Sequence, residues 1–305
     1  MNCPICQSPS HYALTKDAHP YFRCEKCDFL FHRPEAGAAS CSIPDFYDQA
    51  YWEMERAEAM RREKEDSFLR AVELLFLSSI PVTHVLDFGC GLGVTVQLLR
   101  DKLGVNAVGV DISADFAETP YLHKCPLESM LQKYPPGHFD AIYSIEVFEH
   151  LEDPRRVLSL LKALLKPGGK ILLNTGTQEY MAKYDPEMTY IDPCRRGHIS
   201  IYSLKSLLEL AATIGYAAEF LAARSHEVIL FPAHEPAGFP HPDNLEHIKN
   251  LGDWSPQLWR EYMRLVFLEK EFEDKGRFIA QLLKLAEPPT SALGKLGKRI
   301  RRVFK

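Results

Sequence analysis

The sequence lacks any apolar run that approaches the ~20 residues needed to cross a bilayer. Its first residues, MNCPICQSPS, lack the basic-then-apolar order of a secretion signal. Positive charge is not in excess, because the net charge is -5 at pH 7. The chain as a whole is therefore not drawn to nucleic acid or to anionic membranes. We expect a cytoplasmic protein.

Internal repeats and low-complexity tracts are also missing, and the eight cysteines are not spaced as a disulfide framework. Four of them form two CxxC pairs with 17 residues between the pairs. Two such turns aim four thiolates at one ion and complete a tetrahedral zinc site with no open position, so the zinc would be structural. The alternative is a set of redox or incidental cysteines. The predicted ligands are Cys3, Cys6, Cys24 and Cys27.

Four regions can be separated by composition and periodicity. Residues 1–35 form the predicted zinc ribbon, and residues 36–81 form a linker and an amphipathic helix. Residues 82–231 alternate strand-like apolar runs with helical patterns, which predicts an α/β fold with a doubly wound parallel sheet. Residues 232–305 hold a loop, a long amphipathic helix and a basic tail.

The segment VLDFGCGLG, from Val85 to Gly93, joins an apolar strand to a helix through three glycines. Glycine lets the backbone turn sharply and approach a ligand at a helix N-terminus. Eighteen residues after Gly93, a second strand ends in Asp111, whose carboxylate can bind both hydroxyls of a ribose. The loop and this acid together predict a nucleoside-containing ligand.

The spacing of the glycines distinguishes between two ligand classes. A dinucleotide fingerprint is GxGxxG, whereas this loop reads GxGxG with Val94 in the place of the third glycine. Asp87, two residues before the first glycine, would repel a pyrophosphate and attract an ammonium or a sulfonium. A dehydrogenase is therefore disfavoured.

The chain resembles the class I S-adenosylmethionine-dependent methyltransferases from Val82 to Phe231. VLDFGCGLG matches their cofactor loop, GVDIS the ribose-binding acid, FDAIYSIEVFEHLEDP the fourth-strand segment and LLKPGGKILLNT the turn into the fifth strand. The resemblance implies a Rossmann-like fold and S-adenosylmethionine as cofactor. The implied cofactor-binding residues are Asp87, Gly89, Cys90, Gly91, Gly93, Asp111, Ile112, Leu127 and Glu146.

The stretch IEVFEHLEDP holds two carboxylates and an imidazole within five residues. It is similar to the ubiquinone-type O-methyltransferases, which implies either a base or a magnesium site at Glu146, Glu149 and His150. Structural anchoring is the third alternative. His198, before a predicted helix, is the other candidate base, because imidazole titrates near neutrality. The candidate catalytic residues are therefore Glu149, His150 and His198.

The sequence constrains the methyl acceptor through one missing motif and through the resemblance. The chain has no (D/N)PP(Y/F/W) motif, which disfavours methylation of nucleobase amines. Many members of the wider group act on sugars, glycans or small natural products, and the leading hypothesis is O-methylation of a sugar, glycan or small hydroxylated metabolite. The alternatives are an RNA methyltransferase, which the balanced charges of residues 1–35 disfavour, and a non-catalytic cofactor-binding scaffold. The basic C-terminal segment LGKLGKRIRRVFK predicts peripheral membrane contact or a solvated tail. The oligomeric state is left open.

Overall fold

The computed structural model describes residues 1–33 and 78–234, with breaks at 79, 114–115, 195 and 221–226. It also describes the isolated positions 51–53, 56, 71, 74–75 and 244. The predicted C-terminal helix and basic tail, and most of the predicted N-terminal helix, lie outside the described residues. Within these ranges, no helix is both long and apolar enough to cross a membrane.

The N-terminal region is a small antiparallel sheet. Its strands are β1 (Ser10–Lys16), β2 (His19–Cys24) and β3 (Leu30–His32). A fourth strand, β9 (Ser200–Ile201), comes from far along the chain and pairs with β3. The ribbon sheet therefore ends on a strand of the following domain.

The second sheet has seven strands. Its members are β4 (His84–Phe88), β5 (Asn106–Asp111), β6 (Leu122–Lys124), β7 (Phe139–Ile145), β8 (Leu165–Asn174), β10 (Tyr216–Phe220) and β11 (Glu227–Pro232). The spatial order is β10-β11-β8-β7-β4-β5-β6. Five strands from β6 to β8 run parallel, and β11 is antiparallel to both of its neighbours. The chain order reverses at β4, so ligands are expected at the carboxyl ends of β4, β5 and β7.

Within residues 78–234, five α-helices with described bounds accompany the sheet. They are α1 (Val94–Leu103), α2 (Leu127–Lys133), α3 (Pro154–Leu164), α4 (Gln178–Tyr184) and α5 (Leu204–Ala212). The start of α3 carries two local start signals, since Asp153 accepts a hydrogen bond from the amide of Arg156 and Pro154 is the first helical residue. Local signals therefore determine where this helix begins.

Two apolar layers cover the two faces of the seven-stranded sheet. One contains alternate strand residues together with α1 and the helical residues Ala71, Leu74 and Leu75. The other contains the intervening strand residues, α2, α3 and α5, and also Phe29 and Phe31 of the ribbon. This arrangement confirms the predicted doubly wound α/β fold. It also shows that the ribbon shares the core of the larger domain.

Candidate functional site

The glycine loop lies where the sequence predicts, between β4 and α1. The amide of Gly89 donates to the carbonyl of Val110 at 2.9 Å, which ties the loop to the end of β5. The amide of Gly91 donates to Oδ2 of Asp111 at 3.1 Å. Gly93 has φ 73° and caps α1. The loop, the helix N-terminus and the predicted ribose acid are thus joined into one unit.

Two of these glycines serve different purposes. A Cβ added to Gly89 would lie 2.2 Å from Cγ2 of Val147, so only glycine fits there. A Cβ added to Gly91, which has φ 51°, would meet nothing within 4 Å. The first glycine lets two chain segments approach each other. The second faces open space, as a residue beside a ligand would.

The end of β5 presents the acid and an apolar side chain. Oδ1 of Asp111 accepts from the amide and the hydroxyl of Ser113, at 2.8 and 3.1 Å. The next residue, Ile112, is apolar and yet 58% exposed, so its side chain is available to pack against a flat apolar ligand. Leu127 is buried in the hydrophobic core, and its neighbour Cys125 is only partly buried.

Three further residues that were predicted to bind the cofactor lie around this loop. Asp87 ends up buried in β4, with 4% of its surface exposed. Cys90 is also buried and leaves its sulfur against Gly109, where an added Cβ would come within 2.7 Å. Glu146 follows β7 and is exposed, with φ 53°. A positive φ is costly for a non-glycine residue, so the turn after β7 holds this carboxylate in an unusual backbone conformation.

Glu149 is fully buried in the 3-10 turn Phe148–His150. Its two carboxylate oxygens accept from the hydroxyls of Tyr190 and Thr175, both at 2.8 Å. Burial raises the pKa of Glu149, and the two hydroxyl donors act against that shift. The carboxylate is therefore held rigidly behind the site surface.

The two histidines stack edge to face, with ring centroids 4.8 Å apart. Nδ1 of His150 lies 3.0 Å from the carbonyl of Gly197, and Nδ1 of His198 lies 2.8 Å from the carbonyl of Tyr190. Burial lowers the pKa of both rings, that of His198 to about 3. Because only an N–H can bond a carbonyl, each neutral ring is assigned its proton on Nδ1.

Sequence reasoning missed the residues that hold this cluster together. Tyr190 donates to Glu149 and accepts from the amide of Gly176, and a Cβ on that glycine would come within 2.4 Å of the tyrosine ring. Thr175 supplies the second donor. The sequence signal for these contacts is the glycine in NTGT after β8. A glycine there indicates that another part of the chain packs closely against the backbone, but it does not identify Tyr190 as that part.

The described residues contain two groups that can hold a metal ion. In the first, the sulfur atoms of the four ribbon cysteines lie 3.4 to 3.7 Å apart in the pairs Cys3–Cys27, Cys6–Cys24 and Cys6–Cys27. A tetrahedron with Zn–S bonds of about 2.3 Å places its sulfurs about 3.8 Å apart. All four cysteines are free of disulfides. The set therefore fits a ZnS4 site.

The second group differs from the predicted magnesium set. Ligand atoms of Glu149, His150 and His198 lie within 4.8 Å of one another, and Glu146 is not part of this group. Nε2 of His198 is 4.0 Å from Oε1 of Glu149. Two imidazoles and one carboxylate suit a transition metal better than magnesium, which prefers oxygen ligands.

A family model described as a methyltransferase domain matches residues 56–219, more than half of the chain. The chain belongs to this methyltransferase domain family. A ubiquinone biosynthesis O-methyltransferase of Xanthomonas campestris pv. campestris is 32% identical over 109 residues, which cover 32% of this chain and 44% of that protein. Phosphoethanolamine N-methyltransferase 2 of Caenorhabditis elegans is 24% identical over 218 residues, covering 66% of this chain and 48% of that protein. The matches thus span about half or less of these relatives.

Among solved structures, a SAM dependent methyltransferase from Archaeoglobus fulgidus superposes with a TM-score of 0.46 and 23% sequence identity. The superposition covers 57% of this chain and 78% of that one.

Proposed function

We propose that this protein transfers a methyl group from S-adenosylmethionine to a hydroxyl of a sugar, glycan or other small hydroxylated metabolite. The observation that carries the proposal is the link between the glycine loop and the acid at the end of β5. Gly91 donates to one oxygen of Asp111 and faces open space, so the loop backbone and a carboxylate border the same volume. That is the arrangement a nucleoside with a cationic tail requires.

The electrostatics of the site agree with a sulfonium ligand. Asp87 lies near the end of β4, Glu146 follows the neighbouring strand β7, and Asp111 at the end of β5 completes a set of three carboxylates. Carboxylates attract a positive ligand and repel a pyrophosphate. When bound, S-adenosylmethionine supplies the methyl group as a carbon on a positively charged sulfur, so its C–S bond breaks as the new C–O bond forms.

His150 is the proposed general base. It is more exposed than His198, and the negative charges of Glu146 and Asp111 act to raise its pKa against the effect of burial. The same charges would stabilise the imidazolium that forms when Nε2 takes the proton of the acceptor hydroxyl. Glu149 and His198 lie behind this ring, and we assign them to its positioning.

A bound transition metal is the second role we consider for this cluster, and the closeness of Glu149, His150 and His198 favours it. Such an ion would orient a hydroxylated acceptor, and both Nδ1 atoms already lie beside backbone carbonyls, as is usual for metal-bound histidines. Metal analysis of the purified protein before and after EDTA tests this role. Two ions per chain before EDTA and one after would support this role, whereas one ion per chain before EDTA would indicate only the ribbon zinc and would contradict it.

The ribbon supports a small acceptor rather than RNA. We propose that its four cysteines hold a structural zinc ion. Lys26 pairs with Glu209 at 2.8 Å, and Arg23 donates to Gln178 at 2.6 Å. These cations bond to the larger domain, which leaves little positive charge for phosphates.

The core of the proposal is tested by calorimetry with S-adenosylhomocysteine. Asp111→Ala removes an acceptor of two charge-assisted hydrogen bonds to a ribose, worth about 1.5 kcal/mol or more each, so affinity should fall about 100-fold. Asp101→Ala, an exposed change on α1, is the matched control and should bind as the wild type does. Equal affinity in both variants would contradict the assigned pocket.

The acceptor class is tested by a radiolabelled methyl-transfer screen against glycan, small-molecule and RNA fractions. Label in the first two fractions supports the proposal, and label in RNA supports the alternative. Binding of S-adenosylmethionine with no transfer to any fraction would favour a non-catalytic scaffold.

In an active assay, His150→Gln should lower kcat while the affinity for S-adenosylhomocysteine is retained.

A further inference from the structure

The ribbon and the wall of the active site are parts of one sheet. β9 extends the ribbon sheet through the pairs Leu30–Ile201 and Phe31–Ser200. One residue further on, the amide of His32 donates to the carbonyl of Ile199 at 2.7 Å. The ribbon is therefore hydrogen-bonded to the main chain of residues 199–201, directly after His198.

Side chains add further hydrogen bonds between the ribbon and the two ends of the segment 198–203. Tyr21 is fully buried in the ribbon and its hydroxyl donates to the carbonyl of His198 at 3.2 Å. At the other end, the hydroxyl of Ser203 donates to the carbonyl of Cys27 at 2.7 Å. Cys27 is one of the four cysteines that fit zinc, so the proposed metal site itself is hydrogen-bonded to the segment.

The opposite side of the same segment holds the candidate catalytic turn. The amide of Ile199 donates to the carbonyl of Glu149 at 3.0 Å, and the hydroxyl of Tyr202 donates to the carbonyl of Phe148 at 3.0 Å. The carbonyl of Gly197 lies against Nδ1 of His150. Residues 197–203 are thus held between the ribbon on one side and the 3-10 turn on the other.

We infer that the zinc-bound ribbon is a positioning element of the active site, which fixes His198, Glu149 and His150 through residues 197–203. This inference rests on the proposed function. Without the ribbon, two chain segments with little secondary structure of their own would have to hold the proposed base His150 and its two positioning residues, Glu149 and His198, in place. Productive geometry depends on such supporting contacts, since a displacement of about 1 Å can cost about 100-fold in rate.

Hydrogen exchange measured by mass spectrometry on the full chain tests the inference. Zinc removal by chelation should speed exchange in peptides covering 196–203 and 146–151. The cofactor loop, residues 85–95, should exchange as before in the presence of S-adenosylhomocysteine. A uniform rise of the exchange rate across all strands would show that the ribbon supports the whole fold, and it would overturn the inference. Unchanged exchange in residues 196–203 would also overturn it.

A pair of tyrosine variants tests the same link without removing the metal. Tyr21→Phe deletes the hydrogen bond to His198, and exchange in 196–203 should rise about fivefold, the equivalent of one hydrogen bond. Tyr12→Phe makes the same chemical change on an exposed tyrosine of the ribbon and should have no effect there. With an acceptor in hand, Tyr21→Phe should lower kcat and leave KM for S-adenosylmethionine unchanged. Equal behaviour of the two variants would refute the positioning role.

The two proposals can fail separately. If the wild type does not bind S-adenosylhomocysteine, the proposed function fails. If it binds but residues 196–203 ignore both zinc removal and Tyr21→Phe, only the positioning inference fails.

Discussion

Gly91 offers the sharpest test of where the ligand lies, because Gly104 is a matched control. Both glycines have positive φ, 51° and 65°, and an added Cβ would meet nothing within 4 Å at either position. Gly91 lies in the loop beside Asp111, whereas Gly104 ends α1 on the exposed surface. Replacing each with alanine therefore costs similar backbone strain in two different places.

The magnitudes follow from the backbone conformation. An alanine with positive φ costs about 1 kcal/mol, which for a domain of this size lowers Tm by roughly 2–4 °C. Both variants should show this loss. At Gly91 the new methyl group also enters the proposed ligand volume, where a shifted ligand would lose about two hydrogen bonds to the loop. That loss is about 2 kcal/mol, or roughly 30-fold in affinity.

Differential scanning calorimetry and titration with S-adenosylhomocysteine measure the two effects separately. We expect equal shifts in Tm and a loss of affinity in Gly91→Ala alone. If Gly91→Ala binds as tightly as Gly104→Ala, the open space at Gly91 does not face the ligand and the assigned pocket is wrong. If both lose affinity equally, the effect comes from lost stability and not from the site.

Three other perturbations have outcomes fixed by the same geometry. Tyr190→Phe removes a buried donor to Glu149 and should lower the free energy of unfolding by about 2 kcal/mol in urea, an expectation that an unshifted midpoint would contradict. Burial lowers the pKa of His198 to about 3 in the folded protein, so between about pH 3 and pH 6.5 the unfolded state binds more protons than the folded state. The free energy of unfolding should therefore rise with pH in this window, by up to about 1.4 kcal/mol per pH unit. His198→Asn should flatten that rise, and parallel curves would refute the assignment. Deletion of residues 291–305 should abolish co-sedimentation with anionic liposomes, and unchanged sedimentation would remove the membrane proposal.

Local sequence signals predicted the central sheet well. The apolar runs at β4, β5, β7, β8 and β11 and the helix starts at Val94 and Pro154 depend on residues close in the chain. Glycines, a capping aspartate and a proline act within one turn of the elements that they begin or end, so a single sequence is enough to place them.

The contacts that complete the site depend on residues far apart in the chain. Tyr190 reaches Glu149 across 41 residues, and the two residues of β9 pair with a strand 170 positions earlier. Neither carries a periodic pattern, because one is a single buried side chain and the other is too short to alternate. His198 was identified by its residue type, yet its closeness to Glu149 follows only from the fold. The predicted magnesium set named Glu146 where the structure groups His198 instead.

The pairing of β3 with β9 has a consequence for how this protein can be divided or recombined. A fragment that starts at residue 82 would carry Ile201 and Tyr202 without the ribbon that buries them, and it would expose the edge of β9 to other chains. Exchange of the ribbon for one from a relative would have to preserve the edge geometry of β3 as well as the four cysteines. The two parts are therefore expected to have been inherited together rather than as interchangeable modules.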